Sequence, residues 1–175
     1  MKIVKINSKK RPLSKGIYGK YFHISQRTGV KVLGRGYKKM ESIFKRYKTL
    51  ADAEVESLIL KKAEKSKISP RGAKAVIVQY NGLFYPAIKM QHIHGKTLYQ
   101  IDPYLDLNNH YVTKKGKHLP NQKSSYKLGK YLRDCLKKVG IINRDLHLNN
   151  VIINNQGIVK VIDFSPEWIQ TNISF

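Results

Sequence analysis

The alternation of hydrophobic and polar positions along the chain predicts three antiparallel β-hairpins. Each joins two short runs of β-branched and aromatic residues through a turn that contains glycine. The paired runs are residues 20–25 with 30–33, 75–80 with 83–90, and 151–153 with 158–162. Asn81-Gly82 makes the second hairpin the clearest, because this dipeptide is favoured at a two-residue type I′ turn. In the first hairpin, Gly29 is expected to supply a positive φ to the Q-R-T-G turn.

Apolar residues at helical spacing predict two longer helices between the hairpins. The first covers residues 50–66, and the second covers residues 125–139 and ends at Gly140, a favoured residue just past a helix end. The apolar positions are Val55, Leu58, Ile59 and Ala63 in the first helix, and Leu128, Leu132, Cys135, Leu136 and Val139 in the second. The polar stretch 105–123 predicts a long loop. The order of strands, helix, hairpin, helix and hairpin predicts an α+β fold, in which Cys135 is a buried small hydrophobe.

The composition is that of a strongly basic chain with enough hydrophobic residues for a core. With 175 residues, of which 41% are hydrophobic, the chain is predicted to form one domain, or one domain of two small lobes. Lys and Arg number 34 against 11 Asp and Glu, and the net charge of +23 attracts polyanions without specificity. Because the basic residues are spread along nearly the whole chain, a solvated surface with weak nucleic-acid affinity is favoured over a dedicated nucleic-acid site.

The sequence predicts neither a membrane span nor a cleavable signal. No apolar run reaches the about 18 residues that a spanning helix needs. The basic N-terminus is not followed by an apolar run, as a signal peptide would require. A single cysteine suits a reducing compartment, or a protein indifferent to redox state. A cytoplasmic location is therefore expected.

Three oxygen-bearing side chains flank the third predicted hairpin. Asp145 and Asn150 lie on the loop before it, in R-D-L-H-L-N-N, and Asp163 follows its last apolar run. The hairpin is expected to bring these side chains together at the ends of adjacent strands. Carboxylate and amide oxygens suit Mg²⁺, which also keeps waters and binds substrate phosphates. The sequence thus predicts a magnesium site.

These residues resemble two motifs of the protein-kinase-like superfamily. R-D-L-H-L-N-N is similar to the catalytic-loop pattern R-D-L-x-x-x-N, and V-I-D-F-S is similar to the D-F-G element. The separation of 13 positions between Asn150 and Asp163 also matches that family. The resemblance implies a two-lobed kinase-like fold that uses ATP and Mg²⁺. It implies that Asp145 is the base or positioner of the attacking hydroxyl, and that Asn150 and Asp163 hold the metal.

The front half resembles the phosphate-binding part of the same fold. S-K-G-I-Y-G-K-Y-F-H-I-S, residues 14–25, is similar to a kinase glycine-rich loop with its second strand, and Ser14 replaces the first glycine. The backbone at Gly16 and Gly19 is then expected to approach phosphate oxygens. By the same resemblance, Lys31 in the next strand grips the α and β phosphates.

A glutamate on the first helix is expected to pair with Lys31. Glu56 is preferred, because Leu60 and Ala63 follow it on one helical face. Glu54 is the alternative, and an ordinary surface glutamate is possible for either. Such a pair would hold the lysine through a charge-assisted contact.

The segment A-I-K-M-Q-H-I-H-G resembles the fifth strand and hinge of a kinase. It implies that Met90 lies at the back of the adenine pocket, and that the backbone of Gln91 and Ile93 meets the adenine edge. His92 and His94 suggest a metal site instead, which the scattered positions of the other histidines and the missing cysteines disfavour.

The resemblance covers roughly residues 12–168. It implies a single kinase-like domain over residues 1–175, with an N-lobe at 1–91 and a strongly reduced C-lobe at 92–175. Only 10 residues follow Ser165, so no activation segment is expected. Ser165 also replaces the glycine of D-F-G, which is expected to reduce backbone freedom there.

Further departures concern the catalytic loop and the C-terminus. Asn143 stands where the family usually has histidine, a structural position whose loss the fold is expected to tolerate. His147 is common in the small-molecule branch, including aminoglycoside and choline phosphotransferases, where protein kinases usually have lysine. Trp168 and Phe175 are expected to fold back over the reduced C-lobe core, and coverage by a partner protein is the alternative. Such miniature kinases resemble short effectors that bacteria inject into host cells, or phage-encoded kinases, so secretion into a host cell is the alternative to a cytoplasmic location.

The preferred hypothesis is an ATP- and Mg²⁺-dependent miniature Ser/Thr protein kinase that acts as a monomer on a protein substrate. One alternative is a kinase of a small-molecule or lipopolysaccharide hydroxyl. Another is a pseudokinase used as a basic binding module, and a third is a nucleic-acid-associated protein. The charge makes an acidic protein or a polyanion a plausible activator.

Overall fold

The structure, a computed structural model, describes residues 2–16, 19–34, 36–40, 47–108 and 120–171. Side chains are not described at residues 14–16, 19, 47–49 and 120–124. Most of the predicted loop 105–123 and the predicted packing of Phe175 therefore lie outside the described residues.

The chain divides into two compact units. The first contains residues 1–61 and 70–92, and the second contains residues 62–69 and 93–175. The sequence did not predict that residues 62–69 belong to the second unit. The interpretation as one kinase-like domain, with an N-lobe at residues 1–91 and a C-lobe at residues 92–175, stays a prediction.

The described part of the first unit is built on a six-stranded sheet. Its strands are β1 (Ile3–Lys5), β2 (Ser14–Gly16), β3 (Gly19–Ser25), β4 (Thr28–Leu33), β5 (Lys74–Tyr80) and β6 (Leu83–Gln91). Their order across the sheet is β1-β5-β6-β4-β3-β2. β1 runs parallel to β5, and the other neighbouring pairs are antiparallel.

Strand alternation gives this sheet two different faces. One face carries the apolar cluster of Ile6, Phe22, Val30, Val32, Val76, Val78, Tyr85 and Ala87. Lys31 lies between two residues of that cluster in β4, so its side chain points to the other face.

Helix α1 (Tyr47–Glu64) follows β4 in the chain and begins three residues before the predicted start at residue 50. Its buried side includes Glu56, Leu60 and Ala63, which are at most 1% exposed. Leu58 was predicted on the buried face, but it is 41% exposed. That prediction was wrong because position i+2 from Glu56 lies on the opposite side of a helix whose inward face is set by Glu56 and Leu60.

The structure confirms the predicted turn at Asn81-Gly82 and contradicts the predicted role of Gly29 in the first turn. Asn81 and Gly82 have φ values of 50° and 70°, which confirms the type I′ hairpin between β5 and β6. Gly29 does not lie in the first turn but inside β4, paired with His23. It is not among the described glycines with positive φ. A Cβ on Gly29 would lie 1.7 Å from Tyr21 Oη, so the position requires glycine for space and not for its φ.

The second unit contains shorter elements. They are β7 (Lys96–Thr97), α2 (Leu98–Ile101), α3 (Pro120–Lys138), β8 (Ile141–Asn143), β9 (Val151–Ile153), β10 (Val159–Val161) and β11 (Ile169–Thr171). The strands form one three-stranded sheet in the order β10-β9-β7 and one antiparallel pair, β8 with β11. The segment before the first unit's β5 also contributes here, because Ile68 O accepts a 2.7 Å hydrogen bond from Val161 N.

Helix α3 begins at Pro120, five residues before the predicted start at residue 125. Proline is tolerated at the first position of a helix because its missing N–H would be unpaired there. The predicted stop is confirmed, since Gly140 has a φ of 70° and its N–H donates to Lys137 O at 2.9 Å. Cys135 is only half-buried. The prediction of a buried thiol was wrong because Leu136, 1% exposed, takes the centre of the inward face.

The third predicted hairpin is confirmed as β9 and β10. Asn154 Oδ1 accepts hydrogen bonds from Gln156 N and Ile158 N at 2.9 and 2.8 Å, which orders the turn between them. Ile158 belongs to this turn and not to the predicted strand, and it is 48% exposed. The prediction failed there because the side chain of Asn154 extends the turn by one residue.

The chain folds back after Ser165, but not through the predicted indole packing. β11 pairs with β8, and Arg144 N donates to Trp168 O at 2.9 Å. Trp168 itself is 42% exposed, so its predicted role as a cover of the core was wrong. Backbone pairing, and not the aromatic side chain, returns this segment to the unit.

The α+β class is confirmed by this mixture of sheets and few helices. The finer assignment, a two-lobed kinase fold with a reduced C-lobe, stays a prediction. Within the described residues, no helix has the length and hydrophobicity needed to span a membrane.

Candidate functional site

The first unit contains a buried ion pair between Lys31 of β4 and Glu56 of α1. Lys31 Nζ lies 2.7 Å from Glu56 Oε1, and the two side chains are 12% and 2% exposed. A buried carboxylate is costly unless a partner compensates its charge. The lysine is therefore fixed by the helix, with a small part of its surface still reachable by solvent. The alternative partner, Glu54, is exposed on the same helix.

The glycine-rich segment forms a hairpin in which β2 pairs with β3. Gly16 is the Cα partner of Gly19 at its end, and residues 17–18 lie outside the described residues. Glycines on both sides of a turn allow the backbone N–H groups to come close to an anion. Phosphate binding by Gly16 and Gly19 stays a prediction.

Gln91, the last residue of β6, forms two hydrogen bonds with Arg71. Gln91 N donates to Arg71 O at 2.8 Å, and Gln91 Oε1 accepts from Arg71 N at 3.2 Å. A contact of Gln91 with a base edge would therefore use its carbonyl oxygen. Met90 is 5% exposed, and Ile93 is half-buried and belongs to the second unit. The roles predicted for Met90, Gln91 and Ile93 stay predictions.

His92, one of the two histidines near the end of β6, contacts a tyrosine. His92 Nδ1 is 3.0 Å from Tyr21 Oη. Among the described residues, no group of three or more His, Cys, Asp or Glu side chains is placed to hold a metal ion. The geometry favours an aromatic role for His92.

In the second unit, the loop between β8 and β9 fixes Asp145 from two sides. Asn150 Nδ2 donates to Asp145 Oδ2 at 3.0 Å and to Asp145 O at 2.9 Å. Asn143 Oδ1 accepts from Asp145 N at 2.8 Å. Asn143 and Asn150 are each 7% exposed. The aspartate is therefore held on a loop whose buried amides make good hydrogen bonds.

Hydrogen bonds at Asp163 and at the preceding residue, Ile162, connect Asp163 with the same loop and with Asn143. Asn143 Nδ2 donates to Asp163 O at 3.2 Å, and Ile162 N donates to Asn150 O at 2.9 Å. The Asp163 carboxylate accepts from Ser165 N at 3.2 Å and from Ser165 Oγ at 2.9 Å, both at Oδ1. The three predicted residues of the second unit, Asp145, Asn150 and Asp163, thus belong to one hydrogen-bonded network.

Asn143 and Ser165 are the two residues of this network that the sequence analysis did not assign. Asn143 was treated as a tolerated substitution, yet it connects the Asp145 backbone with the Asp163 carbonyl. Ser165 was treated as a loss of flexibility, yet it orients the Asp163 carboxylate. One feature of the sequence indicated a role for Asn143, namely its position directly after the apolar residues Ile141 and Ile142. An amide that is buried next to apolar residues needs hydrogen-bond partners.

His147 lies beside the Asp145 carboxylate. Its Nδ1 accepts from Asn149 N at 3.2 Å, so the neutral ring carries its proton on Nε2. Nε2 lies 3.5 Å from Asp145 Oδ1, and the two side chains are 45% and 33% exposed. At this distance and exposure the contact is weak, but it directs an N–H towards the carboxylate.

The donor set of the second unit fits Mg²⁺. Asn150 uses its amide nitrogen for Asp145, which directs its oxygen away from that carboxylate. Asp163 supplies a carboxylate whose orientation Ser165 sets. One amide oxygen and one carboxylate, completed by water and substrate oxygens, match the preference of Mg²⁺ for few protein ligands. Asn150 and Asp163 are accordingly the residues that would hold this ion.

Replacing Asn143 with alanine is expected to destabilise the protein by about 2 kcal/mol, because it leaves buried polar groups of the loop without partners. It should also lower any activity that depends on Asp145. Urea denaturation monitored by circular dichroism measures the first effect. Asn149→Ala, on the same loop, is the control. A loss of stability in Asn149→Ala equal to that in Asn143→Ala would contradict the assignment.

Comparison with known proteins gives one partial similarity. A scan against models of protein families finds no match. The chain is 32% identical over 88 residues to a probable serine/threonine-protein kinase of Corynebacterium efficiens. The match covers 50% of this chain and 12% of that protein, so the chain spans a small part of the relative's length. This is a weak indication of a kinase-like relationship.

Proposed function

We propose that this chain is an ATP- and Mg²⁺-dependent phosphotransferase whose acceptor is a serine or threonine hydroxyl of a protein. The observation that carries the proposal is the second unit's network, in which buried amides hold Asp145 and a serine orients Asp163. The partial similarity to a probable serine/threonine-protein kinase supports both the reaction class and the acceptor class.

Each unit has its own part in the proposed reaction. In the second unit, Asp145 accepts a hydrogen bond from the attacking hydroxyl and orients its oxygen for in-line attack on the γ-phosphorus. The new bond joins that oxygen to phosphorus, the bond to the ADP oxygen breaks, and the hydroxyl proton passes to the carboxylate. Mg²⁺, when bound by Asn150 and Asp163, neutralises charge on the phosphate oxygens.

In the first unit, Lys31 supplies a positive charge to the α and β phosphates. Its ammonium group is held by Glu56 at 2.7 Å, so little rotamer freedom is lost when a phosphate binds. The backbone at Gly16 and Gly19 adds N–H donors to the same anion.

A small-molecule hydroxyl is the second candidate acceptor. It is favoured by His147, whose Nε2–H is directed at Asp145 where protein kinases usually place lysine. An acidic activator remains a further proposal, and it rests on the net charge of +23 alone.

Incubation of the purified chain with γ-labelled ATP in a cell extract tests the proposal. We expect label in protein bands, abolished by EDTA and restored by excess Mg²⁺. Asp163→Ala should raise the Mg²⁺ concentration for half-maximal labelling about ten-fold or more, because losing a carboxylate ligand weakens the metal site. Asp102→Ala, a change of a carboxylate outside the network, is the control.

The outcomes separate the acceptor classes. Label confined to the small-molecule fraction would favour the second candidate acceptor. Labelling that persists in EDTA, or that is unchanged in Asp163→Ala, would contradict the metal assignment.

A further inference from the structure

The outer face of helix α3 is basic and has a tyrosine at its centre. Residues at i+3, i+4, i+7 and i+11 lie on one face of a helix, because one turn takes 3.6 residues. Counted from Lys127, that face contains one acid and is otherwise basic or aromatic. Its members, all exposed, are Lys127, Lys130, Tyr131, Asp134 and Lys138, and the exposed Lys137 lies beside them.

The opposite face of α3 is used for packing within the second unit. Leu132 and Leu136 are 0% and 1% exposed. A Cβ on Gly129 would lie 2.0 Å from Leu107 O, so the chain before the helix packs directly on it. Arg133 also turns to this side, where its Nη1 donates to Leu107 O at 3.0 Å. The helix is therefore fixed in the unit, and its apolar side is not available for the shallow insertion by which amphipathic helices bind a membrane surface.

Tyr131 presents an aromatic ring between the lysines. The residue is 56% exposed, with Lys127 one turn before it and Lys130 directly before it. A side-chain hydrogen bond with Cys135 raises the pKa of the Tyr131 phenol, so the group stays neutral and does not repel an anion. An exposed ring flanked by cations suits a ligand that offers both a planar base and phosphates. An acidic protein offers only the anionic groups.

We propose that the outer face of α3 binds single-stranded nucleic acid, with a base stacked on Tyr131 and phosphates contacted by Lys127, Lys130 and Lys138. This is a second ligand, and the proposal does not depend on the phosphotransferase activity. At 1.5 Å per residue, the face extends about 16 Å from Lys127 to Lys138, which accommodates a short segment of one strand. The bases of a duplex are already stacked and paired, so a duplex should bind more weakly.

The salt dependence of binding tests the role of the lysines. Fluorescence anisotropy of a labelled oligothymidylate with the full chain gives the affinity at each salt concentration. Lys127→Ala with Lys130→Ala is expected to lower the slope of log affinity against log salt by about 1.4, because each phosphate contact to a single strand contributes about 0.7. Lys5→Ala with Lys9→Ala, at two exposed positions of the first unit, removes the same net charge and should leave the slope unchanged.

Affinity at one salt concentration tests the role of the ring. Tyr131→Leu is expected to weaken oligothymidylate binding about ten-fold, within the range for one stacked base, without changing the salt slope. It should not affect binding of a duplex or of polyglutamate. Tyr131→Phe should bind within about three-fold of wild type, because the ring remains. Oligouridylate, measured in parallel, distinguishes RNA from DNA as the ligand.

Several results would overturn the proposal. An equal fall of the slope in the variant with alanine at positions 5 and 9 would show that binding follows net charge and not this face. Unchanged affinity in Tyr131→Leu, or an equal loss for the duplex and polyglutamate, would remove the stacked base. If Tyr131→Leu does not fold by circular dichroism, wild-type binding to a duplex as tight as to the single strand would overturn the proposal instead. None of these results alters the network around Asp145, so the proposed function is tested separately.

Discussion

Replacing Asp145 with asparagine is expected to lower phosphotransfer about 100-fold or more, the range for loss of a positioned base, while ATP affinity changes little. Asparagine has the size of aspartate, and its side-chain oxygen can still accept from Asn150 Nδ2, which lies 3.0 Å from Asp145 Oδ2. What disappears is the negative charge that orients the hydroxyl and receives its proton. Initial rates with labelled ATP, together with calorimetric ATP binding, measure the two effects separately.

Asp134→Asn provides the matched control for this experiment. It removes one negative charge from an exposed position of helix α3 in the same unit. If both variants slow the reaction equally, the loss reflects the net charge and not the position of Asp145. Full activity in Asp145→Asn would contradict the assigned role directly.

Local turn chemistry allowed the sequence to predict much of the fold. Asn81-Gly82 and Gly140 adopt the positive φ values of 50°, 70° and 70° that their residue types favour. The choice of Glu56 over Glu54 also followed from local spacing, since the apolar residues at i+4 and i+7 mark the inward face of the helix. In each case the deciding interaction lies within a few residues of the position.

The remaining features depend on contacts between distant segments. β1 pairs with β5 through Ile3 and Ile77, and a run of three residues carries too little periodicity to predict such a partner. Gly29 was assigned to a turn because its actual reason, the Tyr21 ring, comes from the neighbouring strand. The structural role of Asn143 was not predicted, because its hydrogen-bond partners at Asp145 and Asp163 lie on both sides of a hairpin.

The candidate site could also be predicted only where local sequence decides, and not where contacts between distant segments decide. Motif spacing predicted Asp145, Asn150 and Asp163 as the site residues, and the structure places all three in one hydrogen-bonded network. The spacing did not indicate which residues orient them, because orientation depends on hydrogen bonds of buried side chains. Those positioning residues are specified by packing and not by the motif.

Replacing Lys31 with methionine is expected to destabilise the protein by about 3 kcal/mol, because it leaves a buried carboxylate without its cation. Glu56 is 2% exposed in its side chain and Lys31 is 12% exposed, so the carboxylate has less access to water than the ammonium group. The single change Glu56→Gln should therefore cost less than Lys31→Met. Urea denaturation of both variants measures the difference, and the exposed Lys74→Met in the same sheet is the control.

The double variant Lys31→Met with Glu56→Gln separates structure from catalysis. Removing both charges should recover about 2 kcal/mol of the stability lost in Lys31→Met, since no uncompensated carboxylate remains. Phosphotransfer should stay at the low level of Lys31→Met, because the phosphates still lack their cation. If the double variant regains activity together with stability, the ion pair only supports the fold, and the lysine has no part in the reaction. If stability does not recover, the two side chains are not energetically coupled, and the 2.7 Å contact does not determine the position of the lysine.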